Sequence, residues 1–412
     1  MTGVKRGAIL CACAAALVAI FAAGRMTAPP ESAPAPEDFG AAIRAALAQK
    51  DAVDRAEQTA RVLQQLDAEN ALEVAAVYDQ MLNILDELDI RPFAVAWARF
   101  DPAAALDHIL RWPFRDKQQM GANAALERWA MRDPAGALEA YEETSARYPS
   151  LSEDLFLSMV TGWLYSGKGG LDDYLAGLSN VKQDRAITRV AGKLMRSGGA
   201  DATMPWVNSI VRNAAYEKKF KKRVFRRGIR IVGRWDPERS AAWAMEHAGQ
   251  EYAVDAPRIV AGRWGSRDGR AAMQWVRDYP GEEPHELAVR EAFRTWLGSD
   301  RKGAVAWLES ETLTAFHDPA IEFYAKDLSD RAPEEAISWC ERILESASRL
   351  HCQESAAAKW YQRDAVAAET WLQQSPLDEE ARRSARTPPE IKKQQKRSAR
   401  PGRQPKPDPP KG

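Results

Sequence analysis

Apolar side chains recur along this chain at helical rather than strand spacing. In residues 286–296, Leu287, Ala288, Ala292, Phe293 and Trp296 share one helical face, and Val289 widens the stripe. No stretch shows sustained two-residue alternation, so the pattern predicts helices and no sheet. These stripes end on a large apolar residue at regular intervals: Leu63, Trp97, Trp129, Trp163, Met195, Val232, Trp264, Trp296, Leu328 and Trp360, spaced 32 to 37 residues apart. Eleven residues after six of these anchors stand Trp206, Trp243, Trp275, Trp307, Trp339 and Trp371. Twelve of the 14 tryptophans therefore occupy two columns of one repeat, and only Trp112 and Trp235 lie off the register. A fixed period of this length means stacked supersecondary units rather than one closed core.

The other columns predict the local structure of each unit. Four residues after the anchor stands an aspartate, at Asp67, Asp101, Asp133, Asp236, Asp268, Asp300 and Asp364, with proline following at Pro102, Pro134 and Pro237. An aspartate accepts a hydrogen bond from an otherwise unpaired amide at a helix start, and proline at the next position forfeits none. Eight residues after the anchor the side chain is nearly always small: Ala71, Ala105, Ala137, Ser240, Ala272, Ala304, Ala336 and Ala368. Three residues on comes the second tryptophan, on the same helical face. Each unit thus reads as helix, short turn, helix. The chain is predicted to be all-α, an α-solenoid of about ten helix-turn-helix repeats over residues 41–376.

This period, with antiparallel helices and a small residue beside an aromatic, resembles the tetratricopeptide-like class of helical-hairpin repeats, as architecture only. The recurring pattern here is Trp-x3-Asp-Pro-x2-Ala-x2-Trp, best seen at Trp264–Trp275, Trp296–Trp307 and Trp360–Trp371, where other residues replace the proline. The Leu-Gly pair of the tetratricopeptide pattern does not recur. The resemblance carries over no ligand-binding residue.

Charge and the chain ends add a compartment to this picture. Residues 7–24 are apolar throughout, preceded by Lys5 and Arg6 and followed by Arg25. That suits a short membrane-spanning helix or a secretory signal within residues 1–25. The expectation is a single-pass inner-membrane protein whose body is exported to the periplasm; a cleaved, secreted or soluble periplasmic form is the alternative. Residues 26–40 read as a Pro/Ala-rich linker. Residues 377–412 read as a disordered basic tail, with eleven Lys or Arg against two acids from Ala381 onward. The formal net charge of zero therefore hides an acidic body between basic ends.

Candidate chemistry is sparse. The five histidines, His108, His247, His285, His317 and His351, are scattered over different repeat phases. No metal-ligand spacing, phosphate loop or cofactor motif occurs. Gly167-Lys168-Gly169-Gly170 falls where other repeats turn and reads as a turn. The aspartate column reads as helix caps and the tryptophan columns as core; Trp112 and Trp235 are the better candidates for exposed contacts, although ordinary packing is the favoured reading even for them. Cys340 and Cys352 sit six residues either side of a turn near Ser346, where they fit either a disulfide or two buried thiols.

One segment stands out. Residues 216–235 carry an expected apolar stripe of Phe220, Val224, Gly228, Ile231 and Trp235. Around it lie Lys218, Lys219, Lys222, Arg223, Arg226, Arg227 and Arg230, candidates for binding an anionic partner; a solvated helix face is the bland alternative. The functional expectation is a non-enzymatic scaffold for protein partners in the cell envelope, using no cofactor. The alternatives are a binder of envelope polymer or anionic lipid, and an enzyme with an unrecognised site between repeats. Nucleic acid is disfavoured by the expected compartment.

Overall fold

The computed structural model describes residues 36–280 and 285–387, and among these every regular element is helical. The described residues form two compact units, which divide between Lys168 and Gly169. The first contains α1 (Phe39–Leu47), α2 (Ala52–Gln64), α3 (Ala71–Met81), α4 (Glu87–Trp97), α5 (Pro102–Ile109), α6 (Arg115–Arg132), α7 (Pro134–Arg147) and α8 (Ser152–Ser166). The second contains α9 (Leu171–Ala176), α10 (Asn180–Arg212), α11 (Lys218–Trp235), α12 (Pro237–Glu246), α13 (Ala256–Gly265), α14 (Gly269–Asp278) and α15 (His285–Ser299). It continues with α16 (Arg301–Ser310), α17 (Asp318–Leu328), α18 (Pro333–Cys340), α19 (Ser346–Arg363), α20 (Ala365–Gln374) and α21 (Glu379–Arg386). Within the first unit the anchor-bearing helices α2, α4, α6 and α8 pack side by side in sequence order. Within the second, α10, α11, α13, α15, α17 and α19 do the same, and α12, α14, α16, α18 and α20 each pair with a neighbouring anchor helix.

The aspartate column caps helices. Asp101, Asp133, Asp236, Asp268 and Asp300 each accept the amide three residues on, at 2.9–3.2 Å. Asp364 accepts from Val366 and Ala367. Asp67 instead closes the turn before α3, where Asn70 is the cap residue. Where glycine replaces the aspartate the chain uses backbone freedom. Gly167 ends α8 at φ +67°, and Gly199 at φ +63° breaks α10 into two helices, a conformation L side chains rarely adopt.

A second recurring device closes the other helix ends. A basic side chain just after one anchor reaches back to the last carbonyls of the preceding anchor helix. Arg99 donates to Leu63 O at 2.9 Å and Gln64 O at 3.2 Å. Arg267 donates to Arg234 O at 2.6 Å and Trp235 O at 3.1 Å. Lys168 reaches Arg132 O in the same way, and Arg363 reaches Arg331 O in the turn that follows α17. The final carbonyls of a helix lack intrahelical partners and favour cations, so the contacts of Arg99, Arg267 and Lys168 both cap a helix and tie two repeats together.

The small-residue column is buried along its whole length, and Trp97, Trp296, Trp243, Trp307 and Trp339 are buried beside it. The remaining column tryptophans are half-buried. Trp112, though off the register, packs in the core: it is buried and donates its indole N–H to Asp79 Oδ1 at 2.7 Å. Two expectations are corrected. The stripe of α11 comprises Phe220, Val224, Phe225, Gly228, Ile229, Val232 and Gly233; Ile231 is half-buried and Trp235 is 63% exposed. Order also extends past residue 377: Leu377 and Ala385 are buried, and Arg386 of α21 forks onto Glu369 at 2.8 and 2.9 Å. The expected tail beyond Thr387 lies outside the described residues.

The expected membrane attachment is also corrected. Among the described residues no helix is long and apolar enough to cross a membrane. The placement as a single-pass inner-membrane protein with a periplasmic body falls with it, and segment 7–24, on which both rested, lies outside the described residues. Cys340 and Cys352 are joined by a disulfide, their Cα atoms 5.5 Å apart.

Candidate anion-binding surface

The basic residues of α11 divide into three groups. Arg223 and Arg227 are committed to α10. Arg223 donates to Asn180 O at 2.8 Å and Asn180 Oδ1 at 2.7 Å, and Arg227 pairs with Asp184 at 2.9 Å. Burial would raise the Asp184 carboxyl, but the hydrogen bond and charge of Arg227, with Arg223 and Arg226, hold it below the usual carboxylate range. Lys218 and Lys222 face acids of the following turn and helix start, Glu251 at 2.6 Å and Asp255 at 3.6 Å. Lys219 is exposed. Among the described residues Arg226 and Arg230 form no hydrogen bond or ion pair, and Arg230 stands beside Arg258 and Arg263 of α13.

Residues six and two positions before each anchor explain where these two point. They are four apart and so share one helix face, and the apolar stripe occupies the opposite side. On α10 they are Arg189 and Lys193, on α11 Arg226 and Arg230, on α13 Arg258 and Gly262, on α15 Arg290 and Arg294. Seven of these eight positions are basic, although α10, α11, α13 and α15 are separate helices, so the charge forms a band across the unit rather than a stripe along one helix. On α17 and α19 the first position becomes Glu322 and Glu354, and the band ends. Sequence reasoning found the α11 members and missed the others. The signal was present at the repeat period, but it is invisible within any one helix.

Between α11, α13 and α15 the band deepens into a cleft of about 220 Å³. Gly262 leaves the floor open; a Cβ there would stand 2.7 Å from Glu291 Cγ. Around it stand Arg230, Arg258, Arg263 and Arg294. Glu291 is the one carboxylate, and Arg294 holds it with a two-pronged contact at 2.9 and 2.8 Å. That hydrogen bond, more than the opposing burial, keeps Glu291 below its ordinary pKa, and Arg258 and Arg230 add to the effect. Arg230 is lowered from its ordinary value by burial and by the like charges of Arg227, Arg263, Arg226 and Arg258. Four guanidiniums thus face one carboxylate that is already engaged.

Among the described residues no group of three or more His, Cys, Asp or Glu is placed to hold a metal ion. The two most buried imidazoles serve packing. His317 Nδ1 accepts the Thr314 amide at 2.9 Å against the Trp307 ring, and His247 Nδ1 meets Tyr252 Oη at 2.8 Å. No protein-family model matches the chain, and neither the curated proteins nor the solved structures contain a match.

Proposed function

We propose that the protein is a non-enzymatic α-solenoid scaffold of the tetratricopeptide-like kind, which holds an acidic segment of a protein partner across α10, α11, α13 and α15. One observation supports this reading above others: the basic band at Arg189, Lys193, Arg226, Arg230, Arg258, Arg290 and Arg294, which recurs at the repeat period and stops at Glu322. Repeat arrays leave an extended surface free because each unit packs chiefly on its neighbours. Packed helix axes lie about 8–10 Å apart, and a peptide in the polyproline II form advances about 3.1 Å per residue with three residues per turn. Acids at every third residue of a segment bound in that form would therefore share one side and meet successive anchor helices. Because fold alone does not dictate function, the weight rests on the charge pattern.

The test is titration calorimetry on the full chain with two synthetic peptides of identical composition. One carries Glu at every third position and the other carries the same glutamates in one block. The spaced peptide is expected to bind tighter, with affinity falling as salt rises, since exposed charges interact over only about 8 Å at physiological ionic strength. Reversing Arg189, Arg226 and Arg290 to Glu should abolish its binding. Equal affinity for both peptides, or inorganic polyphosphate displacing the spaced peptide and binding far tighter, would overturn the reading in favour of a general polyanion binder.

A further inference from the structure

We infer that the cleft between α11, α13 and α15 is a subsite for a phosphoryl group, bound by Arg230, Arg258 and Arg263. The inference rests on the reading that this face takes anions and adds the chemical class of ligand at one point on it. Most of the band is open surface, where a lone guanidinium pairs adequately with a carboxylate. The cleft differs in concentration and shape. It gathers four arginines around about 220 Å³, because Gly262 stands where the other anchor helices of the band carry Lys193, Arg230 and Arg294.

Its charge is also unmatched in a specific way. Arg294 already has its carboxylate in Glu291, with both prongs used. Among the described residues Arg230, Arg258 and Arg263 have no hydrogen bond or ion pair, and Arg230 is partly desolvated among its like-charged neighbours. A single further carboxylate brings one charge and two oxygens, too little for three guanidiniums. A phosphoryl group brings a charge of about −1.5 to −2 and three strong acceptor oxygens. Guanidinium forks match tetrahedral phosphate in geometry as well as charge. Glu291 then acts as an internal counter-anion: it quiets the empty cleft and weakens whatever anion enters.

The same chemistry has two sources, a phosphorylated residue in the bound segment or a free phosphate ion, and the probes separate them. The first pair is the spaced acidic peptide with one central phosphoserine and the same peptide with glutamate at that position, each titrated into the full chain. The phosphopeptide is expected to bind about tenfold tighter, the equivalent of one additional charge-assisted hydrogen bond. Arg263→Lys, outside the band that holds the acidic segment, keeps the charge but loses the fork, so it should erase most of that preference while leaving the glutamate peptide's affinity within about twofold. Glu291→Gln should strengthen the phosphopeptide further.

The second probe is inorganic phosphate against chloride at matched ionic strength, read as the melting temperature of wild type and of Arg258→Ala/Arg263→Ala. A rise in wild type alone supports the subsite. If neither peptide binds but phosphate still stabilises only wild type, the acidic-segment reading falls and the subsite stands with free phosphate as its ligand. If both peptides bind equally, and the lysine variant and phosphate change nothing, the phosphoryl subsite is overturned and the acidic-segment reading survives.

Discussion

Trp307 offers the sharpest test of how this protein distributes its stability. Its ring is 2% exposed, with centroids 5.7 Å from Trp296, 6.2 Å from Phe293 and 5.2 Å from His317. It therefore joins its own hairpin partner α15 to the turn that leads into α17. Trp307→Ala leaves a cavity between these elements, and truncation of a buried tryptophan costs about 3–5 kcal/mol. Against a total stability of about 5–15 kcal/mol for a typical domain, that is a large fraction. Because neighbouring repeats carry the contacts, the loss should be graded. Hydrogen exchange should rise most in α15, α16 and the turn at 315–317, less in α13 and α18, and least in α11. His317 supplies a second readout. Burial is the first cause of its lowered pKa, so opening the site should move that imidazole back up toward its ordinary value, visible by NMR titration. Denaturant unfolding that shows a cost below about 1 kcal/mol would refute the core role of this column. Equal deprotection of every helix in the second unit would refute the graded, repeat-by-repeat account.

Two further outcomes follow from side chains already described. His247 and His317 both titrate below their ordinary value, chiefly because burial disfavours the charged form, with Arg212 and Arg277 adding repulsion. The unfolded chain therefore takes up protons first: stability should be full above about pH 7 and fall as pH drops through about 6.5 and on toward the folded pKa values. Urea midpoints across pH 5–8 check this, and His317→Asn should flatten the slope. Reducing the disulfide, or making Cys340→Ser, releases a loop whose ends are 12 residues apart. The loop-closure estimate is about 3 kcal/mol, and calorimetry with and without reductant should show a lower melting temperature, with no change in the Cys340→Ser variant on adding reductant.

Much of the fold was legible because its determinants are local and periodic. An aspartate at a helix start announces itself within four residues, and six of the seven in the column cap as their position implies. Tryptophans at fixed phase likewise mark core, since every unit must bury an anchor against the next. What stayed hidden depends on which helices become neighbours. Trp112 lies off the register, so the repeat columns do not place it, and its partner Asp79 stands 33 residues earlier. Residues 377–387 looked disordered only because the chain from Ala381 onward is basic as a whole. Helix α21 is nevertheless held by Arg386 on Glu369 and by Arg382 on the Ser375 carbonyl at 2.9 Å. The candidate site was half legible. Reading α11 alone found Arg226 and Arg230, but it also included Arg223 and Arg227, which α10 occupies. Arg258 and Arg294 emerge only when equivalent positions are read across repeats, and Arg263, one residue before its anchor, only from the cleft itself.

The basic side chains that reach back from one repeat to the carbonyls of the one before give each unit a direction. At Arg99, Lys168 and Arg267 the earlier repeat receives its helix cap from its successor, so the two ends of such a run are not equivalent. Removing an N-terminal hairpin deletes a recipient and leaves the remaining caps intact. Removing a C-terminal hairpin strips the donor from a helix that stays behind and exposes carbonyls with no partner. Progressive truncation should therefore be tolerated from one side and resisted from the other, and unravelling should begin where the donor is missing. Helix α21, closing over the end of α20 with Arg382, stands where that vulnerability would otherwise be open.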